Sequence, residues 1–158
     1  FLEAGFSKET AIRMMNSAMV IRGEDDLFST VDISALNLYD GNCTFYKIGA
    51  SATFIRRADC VECLISENLP VGVYHSVEIE KTTRSLSDGD FIIMMSDGVL
   101  EYLNVPHPEE AMESIIAGID TNHPGRFAKQ LLDQVLVYTD GKVSDDMTVL
   151  VAAVWEKA

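Results

Sequence analysis

Asp88–Glu101 reads DGDFIIMMSDGVLE, and the fold turns on how this stretch is read. Phe91, Ile92, Ile93, Met94 and Met95 run without interruption, opened by Gly89-Asp90 and stopped by Ser96-Asp97-Gly98. A short, wholly apolar run between turn residues reads as a strand buried on both faces. Its end delivers the Asp97 carboxylate to the sheet edge, and Gly98 is expected to let the backbone turn tightly behind it. A carboxylate on a rigid strand end is a usual mount for a hard cation such as Mg²⁺ or Mn²⁺. Towards the C-terminus, Ser144-Asp145-Asp146-Met147-Thr148 leads into a second apolar strand, Met147–Val154.

Upstream of this strand the pattern is a succession of hairpins. Phe28–Leu38 alternates, with Val31, Ile33 and Ala35 on one face, and Tyr39-Asp40-Gly41-Asn42 carries the Asp-Gly turn signal before Cys43–Ile48 returns. Thr53–Arg57 and Cys60–Ile65 form a second hairpin through Ala58-Asp59. Leu69-Pro70-Val71-Gly72-Val73 is a rigid connector, and Val77–Leu86 alternates as an exposed, peripheral strand. Ser7 caps a helix over Lys8–Val20, whose pairs Met14-Met15 and Met19-Val20 read as core packing, and Arg22–Asp26 is a polar break. Beyond Glu101 the period changes. Pro108–Ile119 and Pro124–Tyr138 are helices opened by proline, the second with Phe127, Leu131, Leu132, Val135 and Leu136 on one stripe. It stops near Asp140-Gly141, and a polar loop follows to Asp146. This order gives an α+β fold with mainly antiparallel sheet and helices packed on its faces. Doubly wound folds, where a helix follows each strand, are excluded.

The chain has 158 residues, 47% of them apolar, which suits a single domain over residues 1–158 with a real core. No apolar run approaches the ~18 residues of a membrane span. Because the first residue is Phe1 and not Met, the chain is expected to be a piece of a longer one. A formal charge of −13 repels nucleic acid and anionic lipid and suits cations or a basic partner. Cys43, Cys60 and Cys63 are an odd set, which argues for reduced, intracellular thiols. Cys60-x-x-Cys63 has no second pair and no nearby histidine, so both read as strand residues; His75, His107 and His123 read as surface residues.

Asp97 and Asp145 are far apart in sequence, but adjacent strands would bring them together. Carboxylates converging without compensating Lys or Arg repel one another unless a divalent cation neutralises them. The nearest basic residues are Arg84 and Lys142. A pair of such ions activates water and stabilises in-line displacement at phosphorus, so phosphoester hydrolysis is the natural chemistry. Asp25, Asp40, Asp88 and Asp140 are better explained as turn formers.

MMSDGV around Asp97, SDDMTVLVA around Asp145, Gly49 after a β segment, and Leu69-Pro70-Val71-Gly72 stand in the order found in the PPM-type, metal-dependent Ser/Thr phosphatases. The chain resembles most the bacterial branch containing stage II sporulation protein E, over nearly its whole length. The resemblance implies a central antiparallel β-sandwich flanked by helices, an αββα arrangement, with two Mn²⁺ or Mg²⁺ ions. It implies removal of phosphate from serine on a small anti-sigma-factor antagonist protein in sporulation control. By position Asp97 matches the family's mid-chain metal ligand, Asp145 its C-terminal ligand with Asp146 the adjacent alternative, and Gly98 the turn at the site. The helix near Lys8–Val20 corresponds to a segment beside the family's regulatory elements. The domain is implied to be cytoplasmic, its parent anchored to the membrane through regions outside this chain.

The family opens with an acidic strand and an Asp-Gly-Met-Gly motif whose carboxylate bridges both metals, and neither occurs in this sequence. The phosphatase domain is therefore expected to be truncated at its N-terminus and poorly active or inactive alone. Its sheet edges would be left unpaired, inviting a homodimer or strand exchange. A non-catalytic domain that binds a phosphoprotein partner is the alternative. The hairpin succession, the lack of a helix after each strand and the lack of an acidic pair near the first strand argue against a receiver-like domain.

Overall fold

A computed structural model describes residues 1–23, 27–138 and 145–156. Glu24–Asp26 of the expected polar break, the expected helix stop at Asp140-Gly141 and the loop as far as Ser144 lie outside them. The chain divides into two compact units, Phe1–Ala50 with Ser66–Arg84, and Ser51–Ile65 with Ser85–Ala158.

In the first unit, α1 spans Lys8–Arg22. Ser7 accepts a hydrogen bond from the Thr10 N–H (3.1 Å) at its start, and Gly23 in the left-handed conformation closes it. β1 (Val31–Leu36) and β2 (Asn42–Ile48) pair antiparallel from Val31 opposite Ile48 to Leu36 opposite Cys43. β5 (Glu80–Ser85) lies on the other side of β2, giving the order β1-β2-β5. The Asp-Gly turn is where the sequence predicts it, but β1 is shorter than Phe28–Leu38. Phe28 and Leu38 are exposed and lie outside the paired region. The alternation of Val31, Ile33 and Ala35 is realised: all three pack on a core of Ile12, Tyr46, Ile48, Val71 and Val77. Met15 and Met19 pack there as expected, whereas Met14 does not; it falls on the outer face of α1 and is exposed. Gly49, with φ +58°, backs onto the connector, and a Cβ there would lie 2.7 Å from the Pro70 nitrogen.

In the second unit, β3 (Thr53–Arg56), β4 (Val61–Leu64), β6 (Phe91–Met95) and β7 (Val149–Ala153) form an antiparallel sheet in the order β4-β3-β6-β7. The apolar run at Phe91–Met95 is thus an inner strand, and all but Met94 of its residues are buried. Three helices follow it: α2 (Asp97–Glu101), α3 (Pro108–Ala117) and α4 (Pro124–Tyr138). The α4 stripe is as predicted, with Phe127, Leu131 and Val135 fully buried. Phe127 stacks on Phe91 with ring centroids 5.4 Å apart, and the Arg56 guanidinium lies over both rings. The sequence pattern predicts no helix after Asp97, where α2 forms; five residues are too few to show a helical period.

Antiparallel sheet and packed helices are the α+β class that the hairpin succession implied. Cys43, Cys60 and Cys63 form no disulfide. Cys63 sits in β4 opposite Phe54, while Cys60 lies just ahead of the strand and is exposed. His75, His107 and His123 are exposed, as expected. Among the described residues no helix is long and apolar enough to cross a membrane.

Candidate metal centre

The β6–β7 register, Met94 opposite Leu150 and Met95 opposite Val149, carries Ser96 to Thr148. There the two chain segments are fastened by one serine. The Ser96 N–H donates to the Thr148 carbonyl (3.0 Å), the Thr148 N–H donates to Ser96 Oγ (2.9 Å), and that hydroxyl donates to the Asp146 carbonyl (3.1 Å). Asp97, one residue beyond Ser96, begins α2. Strand pairing therefore brings the Asp97 end and the Asp145–Asp146 segment to one corner of the sheet.

Gly98 serves this corner differently from the sequence expectation. Its backbone is helical, inside α2, so no special dihedral is needed. What it supplies is space: a Cβ there would lie 2.7 Å from the Asp146 carbonyl oxygen and 3.6 Å from Asp145 Cβ. Only a residue without a side chain lets the Asp145–Asp146 backbone come this close.

Asp97, Asp145 and Asp146 are all exposed. Asp97 Oδ1 accepts the Gly98 N–H (3.0 Å) and Asp145 Oδ1 accepts the Asp146 N–H (2.7 Å), which turns each carboxylate against its own backbone. The Asp145 N–H donates to the Tyr102 hydroxyl (2.8 Å), tying the segment to the residue that ends α2. Among the described residues no Lys or Arg pairs with any of the three carboxylates. Exposed carboxylate oxygens without a cation fit a hard divalent ion in donor type and charge. Their number does not complete a site: among the described residues no three His, Cys, Asp or Glu side chains gather closely enough to hold a metal.

Ser96 and Tyr102 escaped the sequence reading. Ser96 had a faint signal, a hydroxyl between a buried strand and an acidic helix start. Tyr102 had none, because its partner lies 43 positions away.

A family model described as stage II sporulation protein E (SpoIIE) matches residues 1–155. The chain is 36% identical over 154 residues to Stage II sporulation protein E of Bacillus subtilis (strain 168), which covers 97% of this chain and 19% of that protein. Among solved structures, the PP2C phosphatase domain of SpoIIE from Bacillus subtilis with a fragment of its regulatory domain superposes with a TM-score of 0.89 at 36% identity. That match covers 97% of this chain and 46% of the other. The phosphatase domain of the same protein, presoaked with Mn, gives 0.78 at 32% identity, covering 99% and 71%. The chain thus spans about a fifth of the length of the Bacillus subtilis relative.

Proposed function

The chain belongs to the stage II sporulation protein E family, and from that premise we propose that it forms part of a metal-dependent protein serine phosphatase. The observation that carries the reading is the Ser96 fastening of β6 to β7, which sets Asp97 and Asp145 at one corner, where among the described residues no Lys or Arg pairs with them. Asp97 and Asp145, with Asp146 as the neighbouring alternative, would hold the ion. A divalent cation bound there supplies Lewis-acid polarisation and an activated water for in-line attack on phosphorus. Mn²⁺ is the first choice, since the SpoIIE phosphatase domain was presoaked with it.

The chain's own residues set up that chemistry. β6 and β7 make a rigid mount, Ser96 and Tyr102 hold the Asp145–Asp146 backbone, and Gly98 allows its close approach. Preorganised ligands of this kind need no rearrangement when charge develops on the phosphoryl oxygens. The substrate we propose is a phosphoserine on a small anti-sigma-factor antagonist protein, the role that the family resemblance implies in sporulation control.

Phosphate release from a phosphoserine protein, measured with Mn²⁺ added or chelated, tests the reading. The chain is compared alone and joined to a segment bearing the Asp-Gly-Met-Gly motif that its sequence lacks. We expect turnover only from the joined form, abolished by Asp97→Asn. Failure of both forms with every divalent ion would give the lead to a domain that binds a phosphoprotein without turning it over.

A further inference from the structure

We propose that the loop Leu69–Glu78 is a docking surface for a partner protein segment that presents an apolar side chain flanked by lysine or arginine. The loop is fixed from behind. Val71 is fully buried and exchanges backbone hydrogen bonds with Ser29 (3.0 and 2.9 Å). Asn16 of α1, itself 2% exposed, accepts the Gly72 N–H (2.8 Å) and donates to the carbonyls of Tyr74 (2.9 Å) and His75 (3.3 Å). Gly72 is held at φ +93°, where a Cβ would strike the Leu27 carbonyl oxygen at 2.4 Å. At the far end the Arg13 guanidinium donates to the Val77 carbonyl (3.3 Å).

A backbone tied down so fully would be expected to turn its apolar side chains inward. Leu69 and Tyr74 instead remain 56% and 62% exposed. With Pro70 and Val77 they line an open groove of about 380 Å³, room for one large side chain. A rigid surface carrying an exposed aromatic loses little conformational entropy on binding, which is where interface energy concentrates.

Charge chooses the occupant. Glu67 and Glu78 stand at the groove, both exposed, and among the described residues neither pairs with Lys or Arg. Arg13, the guanidinium nearest the loop's end, is engaged by the Val77 carbonyl. The whole chain carries −13, so its field draws in a cationic segment and repels an acidic one.

The test titrates the isotope-labelled chain with two nonapeptides, KKKKFKKKK and KKKKSKKKK, at physiological salt, following backbone amide shifts. The expected result is a response confined to residues 67–78, with the phenylalanine peptide bound at least tenfold more tightly. Leu69→Ser with Tyr74→Ser, both at exposed positions, should remove that advantage, and Glu67→Gln with Glu78→Gln should weaken it severalfold. Equal binding of the two peptides, shifts scattered over the acidic surface, or no binding of either overturns the proposal. So does self-association lost in the Leu69/Tyr74 variant, which would make a second copy the occupant. The readout is binding alone, so its failure leaves the phosphatase reading standing.

Discussion

A methyl group at Gly98 would sit 2.7 Å from a backbone oxygen that Ser96 is already holding. Because the obstacle is backbone, it cannot swing aside as a side-chain tip would. Gly98→Ala should therefore cost about 1–3 kcal/mol, the usual range for overpacking, visible as a lowered thermal midpoint. It should also weaken Mn²⁺ binding, since the segment displaced is the one carrying Asp145. Ser96→Ala removes an acceptor for the Thr148 N–H and a donor to the Asp146 carbonyl at an accessible site. A smaller loss of about 1 kcal/mol is expected there, again with reduced Mn²⁺ affinity by calorimetry. That Asp97 and the Asp145–Asp146 segment meet at one sheet corner is legible in the sequence, because a buried strand end and an acidic turn are both local signals. Ser96 and Tyr102 act through partners set by register, which no local pattern encodes. Cys43 offers a residue-scale pH test. Burial pushes its thiol up to about 11 from 9.0. Above the unfolded value the unfolded chain gives up that proton while the folded one keeps it, so stability should fall with rising pH between about 9 and about 11. Cys43→Ala should remove that part of the slope in denaturant titrations.

At the scale of elements, two of the polar ties that join α1 to its unit, beside the packing of Ile12, Met15 and Met19, differ physically. Asn16 is buried and its amide is used on both sides, towards Gly72 and towards Tyr74 and His75. Glu9 and Lys81 make an ion pair (2.8 Å) at the surface. The hydrogen bond from Lys81 holds the Glu9 carboxyl below the usual carboxylate range, so what the pair contributes is lost as pH falls through that lowered value. Exposed pairs are screened and contribute little. Asn16→Ala should thus destabilise by at least about 1–3 kcal/mol through the unmet Gly72 N–H and loop carbonyls, while Lys81→Ala should leave the thermal midpoint unchanged. The reverse order would mean that the helix is held from outside. The same contrast explains which elements could be read from sequence. β6 and α4 bury continuous or periodic apolar faces, so their patterns name them. β1 and β7 are shorter than their apolar patterns suggest, since Phe28, Leu38 and Met147 are apolar but lie outside the paired strands. α2 is too short to show a period at all.

At the scale of the whole molecule, 25 acidic residues against 12 basic ones make any cation stabilising, so metal-dependent stability alone proves no site. Self-repulsion across a surface is relieved gradually by salt and does not distinguish one divalent ion from another of equal charge. A site acts through its own dissociation constant. If Asp97 and Asp145 are shared ligands, Mn²⁺ should stabilise the fold with the logarithm of its concentration once above that constant, by about 2.7 kcal/mol at a hundredfold excess, and raise the thermal midpoint accordingly. The increment should survive added KCl, and both Asp97→Asn and Asp145→Asn should remove it. Substituting carboxylates elsewhere, Glu109→Gln with Glu113→Gln on α3, supplies the control: the net negative charge falls by two, yet the Mn²⁺ increment should persist. A gain that is equal for every divalent ion, follows ionic strength and shrinks equally in the α3 control would assign the effect to net charge and leave the corner at Ser96–Gly98 without an ion to hold.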